Sequence, residues 1–218
     1  MTPWSEILQA AGGADALADR LPRPKSPAEL RSIPDDRYLS LMSLRVFRTG
    51  IKHSVVDAKW PAFEEVFLGF EPGRVRAMND EDLEALMGDA RIIRHGGKIR
   101  ATRDNAAAMC TIVEEVGGMG AYLAGWPAGD AIGLWADIAK RFKQMGGRSA
   151  PYFLRMAGRD TFILTDDVVR ALNRWGAIDG EVKGKRGLHA AQAAFDVWAE
   201  ESGRPLCELS LILALSIA

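Results

Sequence analysis

Apolar residues along this chain recur at three- and four-residue steps, and no apolar–polar alternation persists beyond a few residues. The first period places side chains on one stripe of a helix, whereas a half-buried strand needs a period of two. The chain is therefore expected to be all-α. The clearest helix is 98–116, where Ile99, Thr102, Ala106, Met109 or Cys110, Val113 and Val116 share a face before Gly117-Gly118. Further helices are read over 5–20, 35–49, 130–143, 149–157, 166–175, 189–202 and 206–217, with a short one around Leu83 and Leu86.

Punctuation divides the chain. Pro22, Pro24, Pro27 and Pro34 fall within fourteen residues. Proline fixes φ and removes a donor, so 21–34 is expected to be an extended linker after an N-terminal helix. The expected organisation is a helix and linker over 1–34, then a helical domain over 35–218.

Composition narrows the function classes less sharply. With 28 basic and 29 acidic residues the formal net charge is −1, so any nucleic-acid contact must rest on a local basic patch. Two cysteines, Cys110 and Cys207, give neither a disulfide framework nor a metal-ligand spacing, which suits a reduced, cytoplasmic protein. The start lacks the basic-then-apolar layout of a signal peptide, and the apolar run 209–218 is half a membrane span. That run is expected to pack in the core, with no membrane involved.

The chemistry-bearing stretch is GGRSAPYFLRMAGRDTFILTDDVVRALNRWG, residues 146–176. It reads as a glycine turn, a helix, a short apolar extended run and an acidic pair opening another helix. Gly146 and Gly147 permit tight backbone geometry. The helix beginning at Ser149 then aims its first N–H groups outward, where a phosphate oxygen fits, and Arg148 adds a charge. Asp166 and Asp167 follow Phe162-Ile163-Leu164-Thr165 at a helix start, where the dipole favours the charged carboxylate. An ordinary helix joint and a plain N-cap would explain each feature singly. Their spacing resembles that of the helix-hairpin-helix DNA glycosylases, in which a glycine-rich hairpin holds DNA phosphates and an aspartate about twenty residues later faces the scissile nucleoside. Met145 stands where that hairpin has its first glycine, and Ser149 where some members carry a Schiff-base lysine.

A second stretch is similar to one branch of that superfamily, the 3-methyladenine DNA glycosylase I family. It is DARIIRHGGKI at 89–99 followed by Asn105-Ala106, within a run that extends backward to about Pro34. The resemblance implies an all-α helix-hairpin-helix DNA glycosylase fold, two helical lobes with a cleft between. It also implies a monofunctional enzyme that hydrolyses the N-glycosidic bond of a damaged, 3-methyladenine-like base. The expected partner is double-stranded DNA, bound by a monomer without a cofactor. Arg94, His95, Lys98, Arg100 and Arg103 form a basic cluster at a helix start that could hold phosphates. Gly50 and Ile51 align with a turn that the family inserts into the gap left by the extruded nucleotide; a buried isoleucine after a helix end is the alternative.

Departures from the family are informative. Arg45 stands at the position of a glutamate that hydrogen-bonds the alkylated adenine, and His53 at that of a stacking tryptophan. The base pocket is expected to involve Tyr38, Arg45, Phe47, His53 and Trp60. The family's structural zinc would need cysteines and histidines near both ends; His189 and Cys207 alone are present there, so no metal is expected. Asp166 is the first candidate for the catalytic carboxylate, and Asp167 the second. A non-catalytic module recognising distorted duplexes, and a helical protein that has left nucleic acid behind, remain the alternatives.

Overall fold

The computed structural model describes residues 1–217. Their regular elements are all helices, with no strand among them. In chain order the helices are α1 (Trp4–Ala10), α2 (Ala14–Leu17), α3 (Pro27–Ser32), α4 (Asp35–Arg48), α5 (His53–Val66), α6 (Pro72–Arg76), α7 (Asp80–Gly88), α8 (Gly96–Val116), α9 (Met119–Gly125), α10 (Ala131–Arg141), α11 (Ser149–Ala157), α12 (Asp166–Arg174), α13 (Gly184–Ser202) and α14 (Leu206–Leu215). Two compact units emerge. The first comprises Met1–Lys25, Pro127–Leu134 and Gly158–Ala218, and the second Ser26–Trp126 and Trp135–Ala157.

The expected division at residue 34 is replaced by this one. The proline-rich stretch is not a linker throughout. Pro27 occupies the first turn of α3, where its missing N–H costs nothing. Ser26 and Glu29 close a reciprocal capping box there: Ser26 Oγ accepts from the Glu29 N–H at 3.2 Å, and Glu29 Oε2 from the Ser26 N–H at 2.7 Å. Helix α3 packs on α9. Gly120 makes that approach possible, because a Cβ there would lie 2.3 Å from the Leu30 carbonyl oxygen. The helix expected over 5–20 is likewise broken, at Gly12 and Gly13, both at positive φ.

In the second unit α8 is the central helix, flanked by α4, α6, α7 and α9. Its inward stripe, Ile99, Thr102, Ala106, Met109 and Ile112, is fully buried or nearly so. An aromatic stack fills the space beside α4. Trp60 lies parallel to Phe63 at 4.8 Å and to Phe70 at 5.4 Å, and Phe47 meets Phe63 at 4.5 Å. Phe70 reaches the stack through a turn in which Leu68 and Phe70 take positive φ, at about 1–2 kcal/mol each for L-residues. Arg37 pins that turn: it forks onto Glu64 at 3.0 and 2.9 Å and donates to the Gly69 carbonyl at 2.7 Å.

In the first unit α14 packs on α1, α12 and α13. Phe162 stacks on Phe195 at 4.2 Å, and Phe195 meets Trp198 edge-on. The apolar end of the chain, α14, buries Leu206, Leu209, Ile212 and Leu213 as expected of a core helix. No helix among the described residues is long and apolar enough to cross a membrane.

Candidate functional site

Within the second unit the joint between α10 and α11 is built from its anchors outward. Met145, where the hairpin pattern would place glycine, is fully buried and fixes the joint to the core. Gly146 and Gly147 stay exposed, and a Cβ on either would meet nothing within 4 Å. Gly147 takes φ +58, which an L-residue adopts only with strain. Ser149 is buried at the start of α11, and its N–H donates to the Gly146 carbonyl at 3.2 Å.

Two side chains tie this joint to α8. Asn105, 1 % exposed, accepts from the Lys143 N–H at 2.6 Å and donates to the Lys143 carbonyl at 3.2 Å. Gln144 Nε2 donates to the Gly97 carbonyl at 3.0 Å. The start of α8 therefore lies beside the glycine joint. His95 is the N-cap of α8, its Nδ1 accepting from the Lys98 N–H at 3.3 Å. Arg94, Lys143 and Arg148 are exposed around these two helix starts. Asn105, Lys143 and Gln144 escaped the sequence reading as site-builders. The Gln144 side chain gives no motif, and only the pairing of Asn105 with the joint reveals its role.

Lys98 corrects the expectation of a phosphate ligand. It is 5 % exposed, and its ammonium donates to the Phe47 and Thr49 carbonyls at 3.2 and 2.5 Å. A cation at the C-terminus of α4 answers orphan carbonyls and the negative end of the dipole. Burial, then the nearby charge of Arg45, pushes its pKa below the ordinary lysine value. What Lys98 holds is the turn carrying Gly50, at φ +74, and Ile51, which is half-buried. Arg103 is also committed elsewhere, to Asp80 at 2.7 Å.

The five expected pocket residues separate. Tyr38 and Phe47 are completely buried and belong to the core, not to a pocket wall. Tyr38 donates its hydroxyl to the Leu30 carbonyl at 2.8 Å, and burial followed by the Asp35 charge raises its pKa to about 12. Trp60 is half-buried in the aromatic stack and donates to Ser40 Oγ at 3.1 Å. His53 is exposed at the first residue of α5. Arg45 lies over the ring of Tyr152, on α11, at 4.7 Å. Its Nε is buried without a hydrogen-bond partner, and no carboxylate among the described residues pairs with the guanidinium. Burial lowers its pKa, with the Arg48 charge acting in the same direction.

The acidic pair lies in the first unit and is positioned by the segment before it. Asp160 accepts from the Leu206 and Cys207 N–H groups at 3.0 and 2.9 Å, capping α14. Ser210 on α14 accepts from the Ile163 N–H at 3.0 Å. With Phe162 stacked on Phe195, residues 160–164 are held against α14 and α13. Thr165 then caps α12, its side chain accepting from the Val168 N–H at 3.2 Å. Neither aspartate is the N-cap, so capping does not account for the pair. Both are exposed in the first turn, where the helix dipole favours their charge. Asp167 is ion-paired with Arg170.

A structural zinc does not fit the residues. Cys207 is buried with its thiol directed to the Pro22 carbonyl, and His189 is exposed. No group of three or more His, Cys, Asp or Glu side chains among the described residues is placed to hold a metal.

Comparison with known proteins places this architecture. The chain is 38 % identical over 72 residues to DNA-3-methyladenine glycosylase 1 of Escherichia coli (strain K12), a match covering 33 % of this chain and 38 % of that relative. Among solved structures it is similar to an E-to-Q variant of 3-methyladenine DNA glycosylase I from Staphylococcus aureus, with TM-score 0.53, 23 % identity, 68 % of this chain and 89 % of the other. It is also similar to a variant 3-methyladenine DNA glycosylase I in complex with 3-methyladenine, with TM-score 0.52, 24 % identity, 69 % of this chain and 88 % of the other. These likenesses show the fold. The methyladenine glycosylase family model matches residues 31–145, a little over half the chain, from α3 through the glycine joint's Met145, and the chain belongs to that family.

Proposed function

We propose that this protein is a monofunctional DNA glycosylase of base-excision repair. It hydrolyses the N-glycosidic bond of a damaged base, alkylated bases being the class its family supplies. The observation that carries the reading is the pairing of two helix starts in the second unit. The tie from Gln144 to Gly97 sets the exposed joint Gly146-Gly147 beside the beginning of α8, with Arg94, Lys143 and Arg148 around them. Outward N–H groups and cations at such a place suit the phosphates of a duplex. Gly50 and Ile51, on the turn held by Lys98, are proposed to enter the gap left by the extruded nucleotide.

Bond cleavage sends the bonding electrons to the departing base and leaves oxocarbenium charge on the sugar. A carboxylate stabilises that charge or takes a proton from the attacking water. Asp166 is proposed for this role as the first residue of α12, directly after the Thr165 cap, where the helix dipole favours its charge. Ser149 offers no amine for a Schiff base, which is why hydrolysis without strand cleavage is expected. The proposed setting is the cytoplasm, with the protein acting as a monomer and without a cofactor; both cysteines are free.

The test is release of free base from duplex DNA that has been alkylated, deaminated or oxidised. Release from one class above an enzyme-free control is expected. Salt-dependent duplex binding with no release from any class would instead establish a non-catalytic module, the reading favoured if the cation Arg45 blocks the family's chemistry.

A further inference from the structure

A guanidinium half removed from water normally has a carboxylate or a set of carbonyls around it, because burying an uncompensated charge is costly. Arg45 has neither. Its Nε is buried without an acceptor, it joins no ion pair among the described residues, and its guanidinium lies over the Tyr152 ring at 4.7 Å. The Lys98 ammonium, whose own pKa is lowered by burial and then by the Arg45 charge, is consumed by the Phe47 and Thr49 carbonyls. No acceptor among the described residues meets the buried Nε of Arg45, and a ligand with acceptors would complete it.

Resting on the glycosylase reading above, we propose that Arg45 selects an uncharged base that offers it two acceptors on one edge, a carbonyl oxygen and a ring nitrogen. A guanidinium fork matches such a pair, as it does the O6 and N7 edge of a purine. A cationic alkylated adenine has the wrong charge for this site and, at its amino edge, a donor where Arg45 needs an acceptor. Tyr152 holds the guanidinium plane from its face, which leaves the edge to meet the base. A backbone phosphodiester offers similar acceptor chemistry, and the experiment separates the two.

Duplexes carrying one 2′-fluoro nucleotide, whose base departs slowly, serve as probes. The test base is hypoxanthine, 7-deazahypoxanthine without the ring nitrogen acceptor, cationic 7-methylguanine, or undamaged guanine paired with cytosine. The wild-type protein should bind the hypoxanthine duplex about tenfold more tightly than its deaza counterpart. Arg45→Gln and Arg45→Lys should erase that difference. Arg45→Gln should also keep or raise Tm, since it removes a desolvated charge; a merely structural arginine would lower it. Equal binding of the hypoxanthine and deaza duplexes, or preference for 7-methylguanine, overturns the proposal. So does a uniform loss across all duplexes in both variants, which would assign Arg45 to a phosphate. Base release from any damaged duplex alongside one of these results would leave the glycosylase reading standing; absence of both release and duplex binding would remove the two together.

Discussion

Single side chains decide most of what the site can do, and their heads are what a sequence conceals. Lys98 sits in a basic run, KIRATR from 98 to 103, that reads as a phosphate surface. Its stem is long enough to bury, and the ammonium ends on the carbonyls of α4. Replacing it with methionine keeps the stem and leaves those carbonyls unanswered. Lys98→Met is expected to weaken base release more than duplex binding, measured side by side, because the turn at Gly50 and Ile51 loses its anchor. Tyr38 gives a pH test of its burial. Its pKa rises from an ordinary 10.0 to about 12 on folding, so its contribution is complete below pH 10 and is lost as the pH climbs through 12. The loss is on the order of 2 kcal/mol. Urea unfolding of wild type and Tyr38→Phe from pH 8 to 12 should show the gap between them shrink across that window. Aromatic residues at helical spacing signal burial without saying whether a pocket or a core receives them, and here Tyr38 and Phe47 went to the core.

At the scale of elements, helix periodicity and caps were legible and tertiary ties were not. The starts of α11 and α12, at Ser149 and Asp166, fall where the glycine turn and the acidic pair place them. The start of α3 was also written in the sequence, as Ser26-Pro27 with Glu29, a capping box that reading 21–34 as an extended linker passes over. Asp166 and Asp167 sit one and two residues inside α12 because Thr165 takes the cap. Thr165→Ala should therefore cost about 1 kcal/mol in chemical unfolding. Asn105 is the element-scale tie with the largest consequence. Asn105→Ala leaves the Lys143 N–H and carbonyl without their buried partner. It should cost about 2 kcal/mol and reduce duplex affinity, whereas an equally destabilising change in α14 should leave affinity intact.

Across the whole molecule, family membership rests on residues 31–145, while the acidic pair lies beyond that stretch. The helical class followed from periodicity alone. The division into units did not, because each is assembled from separate pieces of chain, and sequence order shows no such assembly. A protein with net charge −1 must concentrate its cations to hold DNA, and the proposed place for that is the exposed Arg94, Lys143 and Arg148. The central proposal is that a carboxylate of this chain helps break a glycosidic bond without cutting the strand. It is tested most directly by counting abasic sites, before and after alkali, in damaged duplex treated under single-turnover conditions with wild type, Asp166→Asn and Asp167→Asn. The account predicts alkali-dependent breaks with wild type, a loss of about a hundredfold or more in their rate with Asp166→Asn, and a smaller loss with Asp167→Asn. Undiminished rates in both variants would contradict it.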